Sequence, residues 1–493
     1  MDHIVNNHVH NNLPIYLLYL PDMRLVRRSI VKTLIGPAIN RMVDVYLTAQ
    51  GSPIQKAEYI KQMVKDETAY AIFSHRWLDE GELTFQDLSK LESINVAGLS
   101  LLINSPKSEL KVLRGAKILD QAMVQSTANV YAERNGVFNK MKEICHYLSG
   151  QDHCASGLVK LVKFCEAALQ RQCNYVWLDT GCINKESSAE LEESIRSMFG
   201  WYRNSKICIV HLGQTNTPLN MLQETWFTRG WTLQELLAPK AIKFFSQSWR
   251  PITAKPNDKI SDDKLGIPLW NVISGITGIP EVQLVDFEPG IIDVRERMVW
   301  ASKRKTTRIE DMAYCLIGIF NIPLSIAYGE GPMAFYRLQA EIVQRSHDRG
   351  LFAWNGSPSS HNSMFAAGPE AFFPLKGSLT AGGEIAVSAD PTYALTNYGL
   401  RIPLSIYNVV KDGDKYKLEE LGMEVELQLQ TQGEKFSISI LGNGPGEKSL
   451  AIVLKPISID AIGSLRQYQK ITTHNVIELP RSNWKAPEVI FIK

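Results

Sequence analysis

From Tyr70 onward the chain alternates short β-branched or aromatic runs with segments of helical spacing, and few folds accommodate such an alternation. Tyr70–Ser74, Tyr175–Asp179, Ile207–Leu212 and Ala241–Phe245 read as buried strands. Between them, Leu158–Leu169 sets Leu158, Leu161, Val162, Cys165, Ala168 and Leu169 at helical intervals. Leu191, Ile195, Met198 and Tyr202 repeat at steps of three and four, after a Ser187 and Glu190 pair with capping-box spacing. Strand, helix, strand, helix implies right-handed crossovers and a parallel sheet, so the expected class is α/β with helices flanking that sheet. Ligands of such sheets bind beyond the carboxyl ends of the strands, which directs attention to the residues that follow each one.

The remaining chain divides by texture. Residues 1–13 are rich in Asn and His, and residues 1–22 predict a flexible extension; residues 23–250 hold the α/β pattern. About a hundred residues separate the first two strands, too many for one crossover, so an inserted helical excursion is expected over about 88–157. Residues 251–350 predict a helical section ending in helices around Asp311–Phe320 and Pro332–Gln344. Residues 351–493 predict a β-rich domain, a sandwich or barrel, with strands at Glu384–Val387, Leu400–Tyr407, Met423–Leu429, Phe436–Leu441, Leu450–Leu454 and Val489–Ile492.

Charge and composition exclude several functions. With 53 Lys plus Arg against 51 Asp plus Glu, there is no electrostatic bias toward nucleic acid. The longest early apolar run, Ile15–Leu20, is far short of a membrane span. Seven scattered cysteines without a C-x-x-C fit a reducing compartment, so a cytoplasmic protein is expected. His3, His8 and His10, and the group Cys145, His146, His153 and Cys154, contain metal-ligand residue types but match no paired spacing, and no metal site is expected. P-loop, G-x-G-x-x-G, H-E-x-x-H and G-x-S-x-G motifs are missing from the sequence. YGEG, Tyr328–Gly331, reads as a turn between helices.

Three polar clusters fall after strands. SHRW, Ser74–Trp77, follows the first; WLDTGCIN, Trp177–Asn184, continues the second; RGWTLQELLAP, Arg229–Pro239, forms a short helix bearing Glu235. Each has a structural alternative: Arg76 in a surface ion pair, Glu235 as a solvated helix residue, Asp179 bonding the backbone of Gly181 and Cys182 to shape a turn. Cys182, with no His partner assigned by spacing, reads as a buried thiol, and His75 and His211 as hydrogen-bonded strand-end residues.

SHRW, YVWLDTGCIN with its following helix, WYRNS and RGWTLQELLAP together resemble the fungal heterokaryon-incompatibility (HET) domain, and Thr306–Val343 resembles the segment that follows its core in a large fungal group. The matching blocks span roughly 70–354. Departures are the long insert, the extension before Met23, and Asn184, where the family usually carries an acidic residue. The resemblance implies a role in nonself recognition and programmed cell death when genetically different hyphae fuse, with self-association and protein partners.

The order FSHRW, WLDT, ICIVHL, WTLQEL is also similar, more remotely, to TIR domains, whose glutamate in a Trp-led helix cleaves NAD. On that resemblance the fold is a TIR-like sheet, Glu235 is the catalytic residue, and Ser74, Arg76, Trp77, Asp179 and Trp231 are substrate-binding. NAD would be a substrate, with no bound cofactor. The chemistry is consistent: cleaving the nicotinamide–ribose bond builds positive charge on the ribose, which one carboxylate can stabilise, and neutral nicotinamide leaves without a general acid. Trp77 or Trp231 could stack on a flat ring and Arg76 could meet a diphosphate, with core packing as the alternative for both indoles. The competing function is a non-catalytic interaction module that triggers death through self-association.

Overall fold

The computed structural model describes residues 2–21, 23–47, 53–90, 155–260, 269–373, 392–413, 415–427, 435–443, 448–459, 466–473 and 477–493. The expected insert, its Cys145, His146, His153 and Cys154, and the strand expected at Glu384–Val387 lie outside these residues. The chain divides into two compact units: Met1–Trp226, Glu235–Ile276 and Pro280–Phe287 form the first, and Phe227–Gln234, Thr277–Ile279 and Glu288–Lys493 the second.

The first unit runs α1 (Asp2–Asn12), β1 (Tyr16–Tyr19), β2 (Arg24–Arg27), α2 (Arg28–Leu47), α3 (Pro53–Glu67), β3 (Tyr70–His75), α4 (Phe85–Lys90), α5 (Ala155–Leu169), β4 (Tyr175–Trp177), α6 (Ser188–Asn204), β5 (Ile207–His211), the last three residues, from Glu235, of α7 (Thr232–Leu237), and β6 (Ile242–Phe245). Its sheet has the order β2-β1-β4-β3-β5-β6. β3 pairs in parallel with β4 and β5, and β5 with β6, so the four anticipated strands form the parallel sheet. All six residues of β3 are buried, as a central strand covered on both faces requires.

Residues 1–22 depart from the flexible extension expected of them. Residues 2–12 are helical, and Ile15–Leu20 supplies an antiparallel strand between β2 and β4, in which Leu18 pairs with Val176 and Tyr19 with Tyr175. Leu17, Leu18 and Leu20 are wholly buried; burial of this apolar run outweighs the polar character of the residues before it. The sheet is therefore mixed.

Local signals explain α6. Ser187 is its N-cap and accepts from the Glu190 N–H at 3.4 Å. Glu190 Oε1 is engaged instead by Arg27 at 3.2 Å and Tyr16 at 3.4 Å, while the Ser187 N–H donates to the Asn184 carbonyl, so only half of the expected capping box forms. Ile195, Met198, Phe199 and Tyr202 make the buried stripe.

β6 is anchored by a buried ion pair. Lys243 Nζ lies 2.9 Å from Asp258 Oδ1, both side chains essentially without solvent, and Asp258 also accepts the Phe244 N–H at 2.8 Å.

In the second unit the helical section is Val294–Ser302, Asp311–Tyr314, Ile317–Phe320 and Met333–Val343; the helix anticipated around 311–320 is two short turns. In the turn before the last helix, Glu310 accepts the N–H groups of Gly329 and Gly331, both at positive φ that only glycine adopts cheaply. The strands are β7 (Ala394–Thr396), β8 (Gly399–Asp412), β9 (Lys415–Leu418), β10 (Glu424–Val425), β11 (Ser437–Asn443), β12 (Lys448–Ile459), β13 (Arg466–Lys470), β14 (Ile477–Pro480) and β15 (Glu488–Ile492). β8 pairs with β11 and β15, and β11, β12, β13 and β15 pair in succession, so the ladder closes on itself. Tyr407, Ile438, Ile440, Val453 and Leu479 belong to the apolar core of this β region. No described helix is long and apolar enough to cross a membrane.

Candidate functional site

Among the parallel strands, chain order reverses between β3 and β5: β4 lies on one side of β3, while β5 and β6 lie on the other. Crevices at the carboxyl ends form at such a switch point. β3 and β5 end there in register, His75 opposite His211. Alternation along β3 sends Ser74 and His75 to opposite faces of the sheet, so two separate polar groups are built on consecutive residues.

On one face, Ser74 donates its hydroxyl to Glu235 Oε2, and Trp226 Nε1 donates to Ser74 Oγ at 2.9 Å. Trp226, Ser74 and Glu235 are all buried; Glu235 is only 6% exposed. Tyr202 lies within the field of this carboxylate, and its own hydroxyl donates to the Phe73 carbonyl at 2.9 Å. Burial first, and the Glu235 carboxylate second, hold the Tyr202 phenol well above its ordinary pKa. Glu235 is therefore not a solvated helix residue, the structural alternative for it: the end of α7 is apolar, with Leu236 and Leu237 wholly buried. A carboxylate in such a place is costly unless hydroxyl and amide donors meet it.

On the other face, His75 is buried against Phe73, with ring centroids 4.2 Å apart. Its Nε2 lies 3.4 Å from Glu82 Oε1, yet neither ring nitrogen makes a hydrogen bond among the described residues, contrary to the satisfied strand-end residue expected. Lys160, from α5, places its ammonium on Glu82 and on the Arg76 carbonyl, at 2.9 Å from the latter. Burial and the Lys160 charge keep His75 neutral against the opposing pull of Asp179 and Glu82. Burial alone would raise the Glu82 carboxyl, but its His75 and Lys160 neighbours outweigh it and hold the group down to about 2. Leu78 N–H also donates to Glu82, so the acidic loop after β3 folds back over the strand end.

Nearer the surface, Trp77 Nε1 donates to Asp179 Oδ2 at 2.7 Å, and Lys185 Nζ sits 4.0 Å from the centre of the Trp77 ring. Asp179 therefore serves Trp77, whereas the turn after β4 closes through the Cys182 N–H and the Leu178 carbonyl. Arg76 reaches Asp79 at 3.6 Å with 43% of its side chain exposed, the surface ion pair that was its structural alternative. His211 Nε2 meets the Gln247 carbonyl at 3.3 Å and its ring stacks on Trp249, a bulky residue at positive φ. Cys182 is buried, and burial pushes its thiol up to about 12, which suits a structural cysteine.

Ser74 and Glu235 thus come together in one group, and Trp77 and Asp179 in another. Trp231 belongs to the second unit, where it bonds Asp311. Beside it, Arg229 bridges Lys305, and Arg304 Nη1 donates to the Arg229 carbonyl and Thr232 Oγ1. Sequence reasoning missed Trp226, Tyr202, Glu82 and Lys160. Tyr202 stood in the WYRNS motif and Glu82 in the acidic loop, but partner choice across 78 to 152 positions has no local signal.

Comparison with known proteins gives two matches. The family model described as "Heterokaryon incompatibility protein (HET)" matches residues 142–221. "Vegetative incompatibility protein HET-E-1" of Podospora anserina is 39% identical over 194 residues, which are 37% of this chain and 14% of that relative. The match therefore spans a small part of the relative's length. No solved structure matches significantly.

Proposed function

We propose that this chain, whose residues 142–221 match the heterokaryon-incompatibility (HET) model, is a cytoplasmic effector of fungal vegetative incompatibility that kills by hydrolysing NAD in its α/β unit. The supporting observation is the Glu235 carboxylate, buried at the carboxyl end of the central strand, beside the switch point, and met there by the Ser74 hydroxyl.

In this reading Ser74 holds the carboxylate until substrate arrives, and a ribose hydroxyl of NAD then takes over the hydrogen bond. As the bond between ribose and nicotinamide breaks, its electron pair leaves with nicotinamide. Glu235 stabilises the positive charge on the ribose, water adds at that carbon, and a proton is released. The products are nicotinamide and ADP-ribose. Trp77, with its exposed ring, is the surface on which a flat base stacks, and Arg76 exchanges Asp79 for the diphosphate.

The depth of Glu235 also favours a second reading, an interaction module in which this residue only supports the fold and death follows from self-association and partner recruitment. Glu235→Gln separates the two, because the amide keeps shape and an acceptor but carries no charge. Purified protein at high concentration is incubated with NAD and nicotinamide is measured. Turnover abolished by Glu235→Gln supports catalysis; a variant that folds and still kills cells supports the module.

A further inference from the structure

The opposite edge of the same sheet holds a cavity of about 710 Å³. Ala69, just before β3, and Lys206, just before β5, line it, together with Lys240 on the approach to β6. Its other walls are α1, which contributes His3 and Ile4 from its first turn, α3, and the end of α6. It is therefore at the amino edge, away from Ser74 and Glu235.

Charge in this cavity is one-sided. Lys61, Lys65, Arg203, Lys206 and Lys240 line it against the carboxylates Glu58 and Asp66, in a chain whose formal charge is only +2. Some of these groups are engaged: Lys61 pairs with Glu58 at 2.6 Å, Asp66 accepts from Gln62, and Arg203 donates to the Phe287 carbonyl. Lys206 reaches only the Gln172 carbonyl, at 3.4 Å. Lys65 and Lys240 have neither hydrogen bond nor ion pair among the described residues. Offsetting the helix carbonyls accounts for Lys65 and Arg203 in last turns, but not for a concave volume between three helices and three strand starts.

His8 lines the cavity without adding charge, its ring held by neighbours on both sides. Asn12 Nδ2 donates to His8 Nδ1 at 3.1 Å, which leaves the proton on Nε2, 2.9 Å from Thr68 Oγ1. Burial and the neighbouring Lys65 both disfavour its protonation.

We propose that this amino-edge cavity binds a nucleoside polyphosphate, with Lys65 and Lys240 as its phosphate contacts. The volume is in the range of small-molecule sites, roughly 300–1,000 Å³, and exceeds what a single phosphate fills. Ile4 and Ala69 supply apolar surface, and the amide side chains of Asn7 and Asn12 supply hydrogen bonding for a base and ribose. This site stands whether or not the α/β unit turns over NAD.

Calorimetric titration of the full chain with ATP, tripolyphosphate and inorganic phosphate tests it. ATP should bind one to one, more weakly as salt rises, and more tightly than tripolyphosphate or phosphate. Lys65→Glu with Lys240→Glu, both at exposed positions, should weaken ATP at least about tenfold while thermal melting stays unchanged. Glu235→Gln should leave ATP binding intact, which distinguishes this site from the carboxyl edge. No ATP binding, an affinity indifferent to the double charge reversal, or tripolyphosphate binding as tightly as ATP would each overturn the assignment.

Discussion

The Ser74 hydroxyl donates to the Glu235 carboxylate across 161 positions of sequence, inside the first unit. The indole of Trp226 donates in turn to that hydroxyl, so a ring N–H, a hydroxyl and a carboxylate form one relay at the end of β3. This arrangement fixes the carboxylate before any ligand arrives, which is what electrostatic preorganisation requires.

Ser74→Ala removes the middle of the relay. The Trp226 indole loses its Ser74 acceptor and Glu235 loses a donor in a buried setting, at a cost of about 1–3 kcal/mol. Urea unfolding should show that loss for Ser74→Ala and a smaller one for Glu235→Gln, whereas NAD turnover should fall furthest in the latter. Equal stability of Ser74→Ala and the parent would argue against a buried, working hydrogen bond.

Acid should weaken the first unit in two stages. His75 is held neutral in the fold, so the unfolded chain takes up its proton first and stability begins to drop below about pH 6.5. The Glu82 carboxyl is depressed to about 2, so its stabilising contribution is complete above its unfolded pKa and is lost as pH falls through about 2. Glu82→Gln should remove the lower stage from a plot of stability against pH. It should also cost on the order of 1–3 kcal/mol at neutral pH, because Lys160 stays buried without its carboxylate.

Asp258→Asn should destabilise the first unit by about 3–5 kcal/mol, since Lys243 would keep its charge with no counterion. Replacing both partners with apolar residues of similar volume should recover most of the loss in chemical denaturation. A double variant as unstable as the single one would show that the Asp258 bonds to Phe244 and Thr253, rather than the uncompensated charge, dominate.

Gly230→Ala tests the packing of RGW in the second unit. The added Cβ would overlap Thr306 Cγ2, forcing that methyl to move, and lie 3.3 Å from Cys315 Sγ. The Gly230 N–H also donates to the Lys305 carbonyl at 2.8 Å, so the backbone cannot easily retreat. A cost of about 1–3 kcal/mol is expected, read as a lowered melting temperature.

Periodicity made the four parallel strands and the α6 stripe legible, because a sheet covered on both faces needs continuous apolar runs and a surface helix needs a 3.6-residue repeat. The β1–β2 hairpin escaped that reading. Its apolar run is only a few residues long and follows an Asn- and His-rich stretch, and nothing local says that an edge of β4 awaits it. The side chains of the carboxyl edge were identifiable one by one after their strands, but not their pairings. Asp179 carries the same local sequence whether it caps a turn or accepts from Trp77.

The amino-acid sequence by itself determined the four parallel strands, the helices between them and which strand ends carry polar residues, since these follow from local periodicity and chain direction. Tertiary structure alone decided that Glu235 is buried with Ser74, that Arg76 turns to Asp79, and that Trp231 falls with the second unit. Burial and hydrogen-bond partnership depend on what packs from distant positions, and the free energy of a charged side chain is set by those neighbours rather than by its place in the sequence.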